Sequence, residues 1–136
     1  MNDHGIKQIH YSILKDNPDT LDSIANPRFV HEHLPREFSD SWVHSRIEKK
    51  IKVRSLRPIL YDSNGVIIPS VKQKDREVRF WPEDLTIDSM AFLWADKVGF
   101  ISTKKESMSF VVTSKEFHSM FKQCFGFIWK NGRKDF

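Results

Sequence analysis

Four groups of side chains in this sequence have types and spacings that could do chemistry. His31-Glu32-His33, with His44 further on, would suit a divalent metal if the segment is extended: alternate residues of a strand share a face, and imidazole is a good ligand for zinc or nickel. The run is short and no second Cys/His cluster accompanies it, so ordinary surface histidines are expected, with no metal and no cofactor. His10 and His118 are general-base types, but neither has a nucleophile and an orienting carboxylate at a recognisable spacing. Arg54 and Arg79 each end or interrupt a predicted strand, and open α/β sheets bind ligands in crevices at strand ends. Two guanidiniums there could grip a phosphate or carboxylate bidentately. The competing reading pairs them with Glu77, Glu83 or Asp84. Trp81 and Trp94 are either stacking platforms for a ligand or core.

The elements that would carry these residues are legible from periodicity. Met90-Ala91-Phe92-Leu93-Trp94 and Val98-Gly99-Phe100-Ile101-Ser102 read as two strands joined by a tight loop at Ala95-Asp96-Lys97. A polar turn at Lys104-Lys105-Glu106-Ser107 leads to a third strand at 108–113. After Ser114, a suitable N-cap, Phe117, Met120, Phe121, Cys124, Phe125 and Ile128 form one helical stripe, with Gly132 as the stop. Phe127 and Trp129 fall off that stripe. Upstream, Arg76–Pro82 is a strand, 51–56 is a strand ended by Pro58, and Pro35 opens a helix reaching about Lys50 with acids early and bases late. Residues 5–14 alternate as a first strand, with Ile9, Tyr11 and Ile13 on one face. A short helical turn is expected at 20–24, while 29–34 fits either helix or strand. Residues 61–65 form a turn, 66–75 hold loop plus a short helix, and a long loop or lid lies within 57–75. The fold class is therefore α/β, one domain over 1–136 with a mixed β-sheet flanked by helices.

Composition is consistent with that. A chain of 136 residues, 39% hydrophobic, buries roughly two thirds of its unfolded surface without needing staples. The single cysteine, Cys124, excludes an internal disulfide and suits a reducing, cytoplasmic setting. Neither a signal-peptide run nor a membrane-length apolar stretch occurs, so no membrane partner is expected. The net charge of +4 admits an anionic partner but is spread among many acids, with local clusters at 49–54 and 72–76.

Several of these stretches, taken together, resemble a family. Arg46-Ile47-Glu48-Lys49-Lys50-Ile51-Lys52-Val53-Arg54 resembles the helix-to-strand step of the effector domains of TrmB-type transcriptional regulators. Arg76-Glu77-Val78-Arg79-Phe80-Trp81-Pro82-Glu83-Asp84 is similar to one of their strands, and Ala95-Asp96-Lys97-Val98-Gly99-Phe100-Ile101-Ser102 to their hairpin. Thr113-Ser114-Lys115-Glu116 and the Phe-rich helix ending in Trp129 complete a resemblance over about 36–131. It implies a fold like one half of the phospholipase D-like fold. The winged-helix DNA-binding domain of such regulators has no room here, since residues before the match read as strand and loop.

What the resemblance implies for chemistry is mostly negative. Phospholipase D enzymes need His-x-Lys-x4-Asp ahead of the hairpin, a histidine to attack phosphorus and a lysine to neutralise phosphate. The matching positions are Asp88, Met90 and Ala95, and no histidine lies between His44 and His118. The expectation is a non-enzymatic sensor or interaction domain, with Arg54, Arg79, Asp88, Met90 and Trp94 as candidate ligand-binding residues. Its partners would be a small anionic ligand, a second copy in a homodimer, and a separate DNA-binding subunit. The alternatives are an enzyme of that fold with a substituted active site, and a basic nucleic-acid-binding module.

Overall fold

The computed structural model describes residues 3–102, 106 and 108–134. It is an α/β sandwich: one six-stranded mixed sheet with helices on both faces, and a small two-stranded hairpin beside it. In chain order the elements are α1 (Asp3–Asp16), β1 (Thr20–Ile24), α2 (Pro27–His33), α3 (Arg36–Glu48), β2 (Lys52–Arg57), β3 (Leu60–Tyr61) and β4 (Ile67–Ile68). They continue with β5 (Arg76–Phe80), β6 (Met90–Trp94), β7 (Lys97–Ile101), β8 (Ser109–Thr113) and α4 (Lys115–Lys130).

The sheet order is β5-β2-β1-β6-β7-β8. Strands β5, β2 and β1 run parallel, and β6, β7 and β8 form an antiparallel meander joined to them at β1. Alternation along each strand gives the sheet two distinct faces. Leu21, Val53, Met90, Phe92, Trp94 and Ile101 point to the first face, where Ile6, Ile9 and Ile13 of α1 cover them together with Leu34, Phe38 and Trp42. Leu56, Leu93 and Val98 point to the second, beneath Phe125 and Trp129 of α4. Gly99 lets α1 approach the sheet closely: a Cβ there would sit 3.1 Å from the Trp94 ring and 3.2 Å from Ile9, so those side chains would have to give by a few tenths of an ångström.

Several expectations from the sequence are corrected here. Residues 5–14 are helical, not a strand: Ile6, Ile9, His10 and Ile13 share one buried face while Tyr11 is exposed. Ile9, Tyr11 and Ile13 satisfy a period of two, but Ile6 and His10 only satisfy 3.6. Residues 20–24 are the central strand β1 rather than a helical turn, and 29–34 fall mostly within α2, capped by the Asn26 side chain. No short helix occurs in 66–75; β4 and irregular chain take its place. The β6–β7 loop is two residues, with Ala95 at φ +50°. The polar turn at 104–107 lies, Glu106 apart, outside the described residues.

The last helix begins at the expected cap, Ser114, whose hydroxyl accepts from the Phe117 amide. Its buried stripe is rotated from the expected one. Phe121, Phe125, Ile128 and Trp129 face the sheet, while Phe117, Met120 and Cys124 are exposed. Trp129 joins that stripe because it packs with Leu56, Leu93, Val98 and Phe125 and also carries the guanidiniums of Arg54 and Arg79 on its ring. Among the described residues, no helix is long and apolar enough to cross a membrane.

Candidate functional site

A parallel strand pair needs a crossover of a dozen or more residues, usually a helix that fills the space above the sheet. The β1-to-β2 crossover conforms, using α2 and α3. The β2-to-β5 crossover instead uses the β3–β4 hairpin and the irregular chain that follows it. That crossover passes over the first face without a helix's continuous side-chain packing, and beneath it lies a cavity of about 690 Å³. Its floor is the sheet (Leu21, Ser23, Val53, Ser55, Phe80, Phe92), one wall is α2 and α3, and the other is 68–73. The hairpin wall is tied down at Tyr61, whose carbonyl accepts from Arg28 and whose hydroxyl donates to Glu83 at 2.6 Å.

Three arginines give this cavity its character. Arg46, 1% exposed, spends its guanidinium on the carbonyls of Ile51 and Lys74 at 3.1 Å and on the Gln73 side chain at 3.2 Å. It clamps the 73–75 segment onto α3 and β2 and still leaves a buried positive charge; burial pulls its pKa down. Arg57 folds back along β2 and donates to the hydroxyl of Ser55 from Nε at 3.3 Å and Nη2 at 3.2 Å. Arg76 donates through Nη2 to the Val71 carbonyl, and its buried Nε has no hydrogen-bond partner. Burial, then the nearby Arg76, pushes the pKa of Arg57 down to about 10. Burial, then Arg46, does the same to Arg76, also to about 10. None of the ion pairs among the described residues gives any of the three a carboxylate partner. The second buried side-chain atom left unpaired, Oγ of Ser39, also belongs to a residue lining this cavity.

Such an arrangement can bind an anion. Leaving a buried cation uncompensated costs several kcal/mol, roughly, and an oxyanion supplied from solution removes that cost. Ser55, a buried residue, accepts from Arg57 through its hydroxyl, whose own proton is left to donate to a third group. His10 closes the inner end of the cavity as a neutral ring: its Nδ1 lies 2.8 Å from the Ile6 carbonyl and burial lowers its pKa.

The candidate ligand-binding residues singled out from the sequence lie outside this cavity, and of them Arg54 and Arg79 come near one another. Arg54 and Arg79 are on the second face, where both pack on the Trp129 ring at 5.4 and 4.5 Å. Arg54 forms a two-pronged pair with buried Asp22 at 2.8 and 2.9 Å, and Lys122 of α4 approaches the same carboxylate at 3.4 Å. Asp22 holds the Arg54 charge firmly, raising its pKa. Arg79 donates to the Trp129 carbonyl at 2.8 Å and to Glu77 at 3.3 Å. Met90 and Trp94 are core residues of the first face, with Trp94 Nε1 donating to Asp16 at 2.9 Å, and Asp88 is exposed ahead of β6. Because His31 and His33 sit on a helix, they do not share a face; His33 packs on Phe29, and His44 pairs with Glu48 at 3.0 Å. No group of three metal-ligating side chains occurs among the described residues.

Arg57 and Arg76 escaped the sequence reading, although one signal was present. Arg54 and Arg57 differ by three positions on one strand, so alternation sends them to opposite faces. Comparison with protein-family models, with curated proteins and with solved structures returned no match.

Proposed function

We propose that this chain is a non-enzymatic sensor or interaction domain that takes a small anionic ligand in the cavity between β2, β5 and the β3–β4 crossover. One observation carries the reading: Arg57 and Arg76 line one cavity, and among the described residues neither forms an ion pair with a carboxylate. Structural arginines are normally paired, as Arg54 and Arg79 are on the other face. The likeness to TrmB-type effector domains is a second support, because those domains act by sensing rather than by turnover. A ligand acts on such a domain only through different affinity for two states. The hairpin crossover is the element best placed to differ between them.

Thermal-shift measurement against a panel of organic and inorganic anions tests this. At least one should raise the melting temperature, and Arg57→Met with Arg76→Met should abolish the rise. A panel with no response, or a response that survives the double substitution, removes the reading. The sensor reading also includes a homodimer. Strand β8 is the free edge of the sheet opposite β5, and it exposes Phe110 and Val111. Light scattering at micromolar protein that finds monomer alone would remove that part.

A further inference from the structure

The anion site is one end of a much larger hollow, and that mismatch says what kind of molecule fits. Resting on the sensor reading above, we infer that the ligand is an amphipathic organic acid. Its oxyanion head sits between Arg57, Arg76 and the Ser55 hydroxyl, and its apolar body lies along Leu34, Trp42, Val53, Phe80 and Phe92.

The volume sets the scale. Cavities for organic ligands span roughly 300–1,000 Å³, and this one holds about 690 Å³. Inorganic phosphate or a two-carbon acid would occupy a small part of it and leave the apolar lining facing water. The polar groups are also unevenly placed. Arg57 and Ser55 lie together on β2, and Arg76 starts the neighbouring strand, entering register beside Val53. Toward α2 and α3 the deeper lining turns aliphatic and aromatic, with Val30, Leu34, Trp42 and Phe92, while Arg28, His31, Arg36 and Asp40 of that wall are exposed to solvent. The ligand therefore has a charged end and an uncharged end rather than charge along its length. The donors suit a carboxylate and a phosphate monoester equally, since guanidinium N–H groups and a serine hydroxyl donate to either kind of oxygen.

Calorimetry on the full chain distinguishes the cases, using decanoate, decyl phosphate, decanol, inorganic phosphate and a carboxylate series from butyrate to decanoate, all below micelle formation. Affinity should climb roughly fourfold per added methylene. Arg57→Met with Arg76→Met should weaken decanoate and decyl phosphate at least tenfold and leave decanol unchanged. Ser55→Ala should weaken both acids severalfold, and Lys122→Met, on the opposite face, neither. Whichever of the two acids binds tighter identifies the head. Inorganic phosphate binding as tightly as decyl phosphate, with no gain along the series, would overturn the amphipathic class and leave the anion site standing. Decanol binding as well as decanoate would overturn the acid. If no anion of any length binds, both this inference and the sensor reading fall together.

Discussion

The two faces of this sheet treat arginine in opposite ways. Under α4, Arg54 is matched to Asp22 across neighbouring strands and stacked at 5.0 Å on Phe125, and Arg79 is spent on Glu77 and the end of the helix. On the face toward α1 and α3, Arg57 and Arg76 are desolvated, repel each other, and find only a hydroxyl and a carbonyl. Both arrangements come from the same two strands, β2 and β5, alternating residue by residue. The first is what a structural ion pair needs: a buried acid, two prongs and aromatic packing. The second spends folding stability, and it is the arrangement on which the proposed anion site rests. The comparison teaches that the presence of arginines at strand ends says little, and that the partner decides.

The largest effect should come from breaking the paired face. Asp22 is 1% exposed and holds both Arg54 and Lys122, so Asp22→Ala should cost about 3–5 kcal/mol in denaturant unfolding, since two cations lose their acceptor. Arg54→Met should cost somewhat less, about 2–3 kcal/mol, because Lys122 remains beside the carboxylate and Met keeps part of the packing on Phe125.

A pH titration separates a third contribution. Burial lowers the pKa of His10 below its ordinary 6.5, so under acid the unfolded chain takes up a proton that the folded chain does not. The unfolded state then binds more protons, and stability falls as pH drops below about 6.5, with a slope of up to about 1.4 kcal/mol per pH unit from this group. Above 6.5 it contributes nothing. His10→Leu should flatten that part of the curve, measured by thermal melts from pH 7 to 5.

The smallest effect is the most pointed. Arg57→Met or Arg76→Met should leave stability unchanged or raise it by about 1 kcal/mol, by removing a buried unpaired charge. A loss as large as that of Arg54→Met would show that the two faces are equivalent after all.

Much of the fold was readable in advance. The meander and α4 announce themselves because their strands are apolar, their turns are short and their contacts are local. Helix α3 was legible from a proline start and the charge gradient, and strand β2 from the alternating Ile51, Val53 and Ser55 with Pro58 to end it. The N-terminal helix was not, because Ile9, Tyr11 and Ile13 fit a strand as well as Ile6, Ile9 and Ile13 fit a helix. Strand β1 hid because it carries Asp22 and Ser23 in its middle, polar residues that only make sense beside Arg54 and under cover of α2 and α3. The site was hidden for a related reason. Arg54 has its acid at Asp22, far back in the chain, and nothing local distinguishes it from Arg57, which has none among the described residues. The cavity itself arises from a crossover without a helix, and the expected loop within 57–75 pointed to that segment without indicating what lay beneath it.

The position of β1 has a consequence for the order of assembly. It is made early, yet its two neighbours come later: Leu21 ends up between Val53 and Trp94. Until the chain has delivered β6, strand β1 can be held on one side only. The segment from Met90 to Lys130 depends on nothing so distant, since each of its strands pairs with the next and the helix folds back over them. Low sequence separation favours fast formation, so this part is expected to form the nucleus, with the parallel strands docking onto β6 afterwards. Substitutions at Val98 or Leu93 should therefore slow refolding, and those at Asp22 should chiefly speed unfolding. On that order the cavity, bounded by strands β1, β2 and β5 and by the hairpin crossover, should be the last part to be completed.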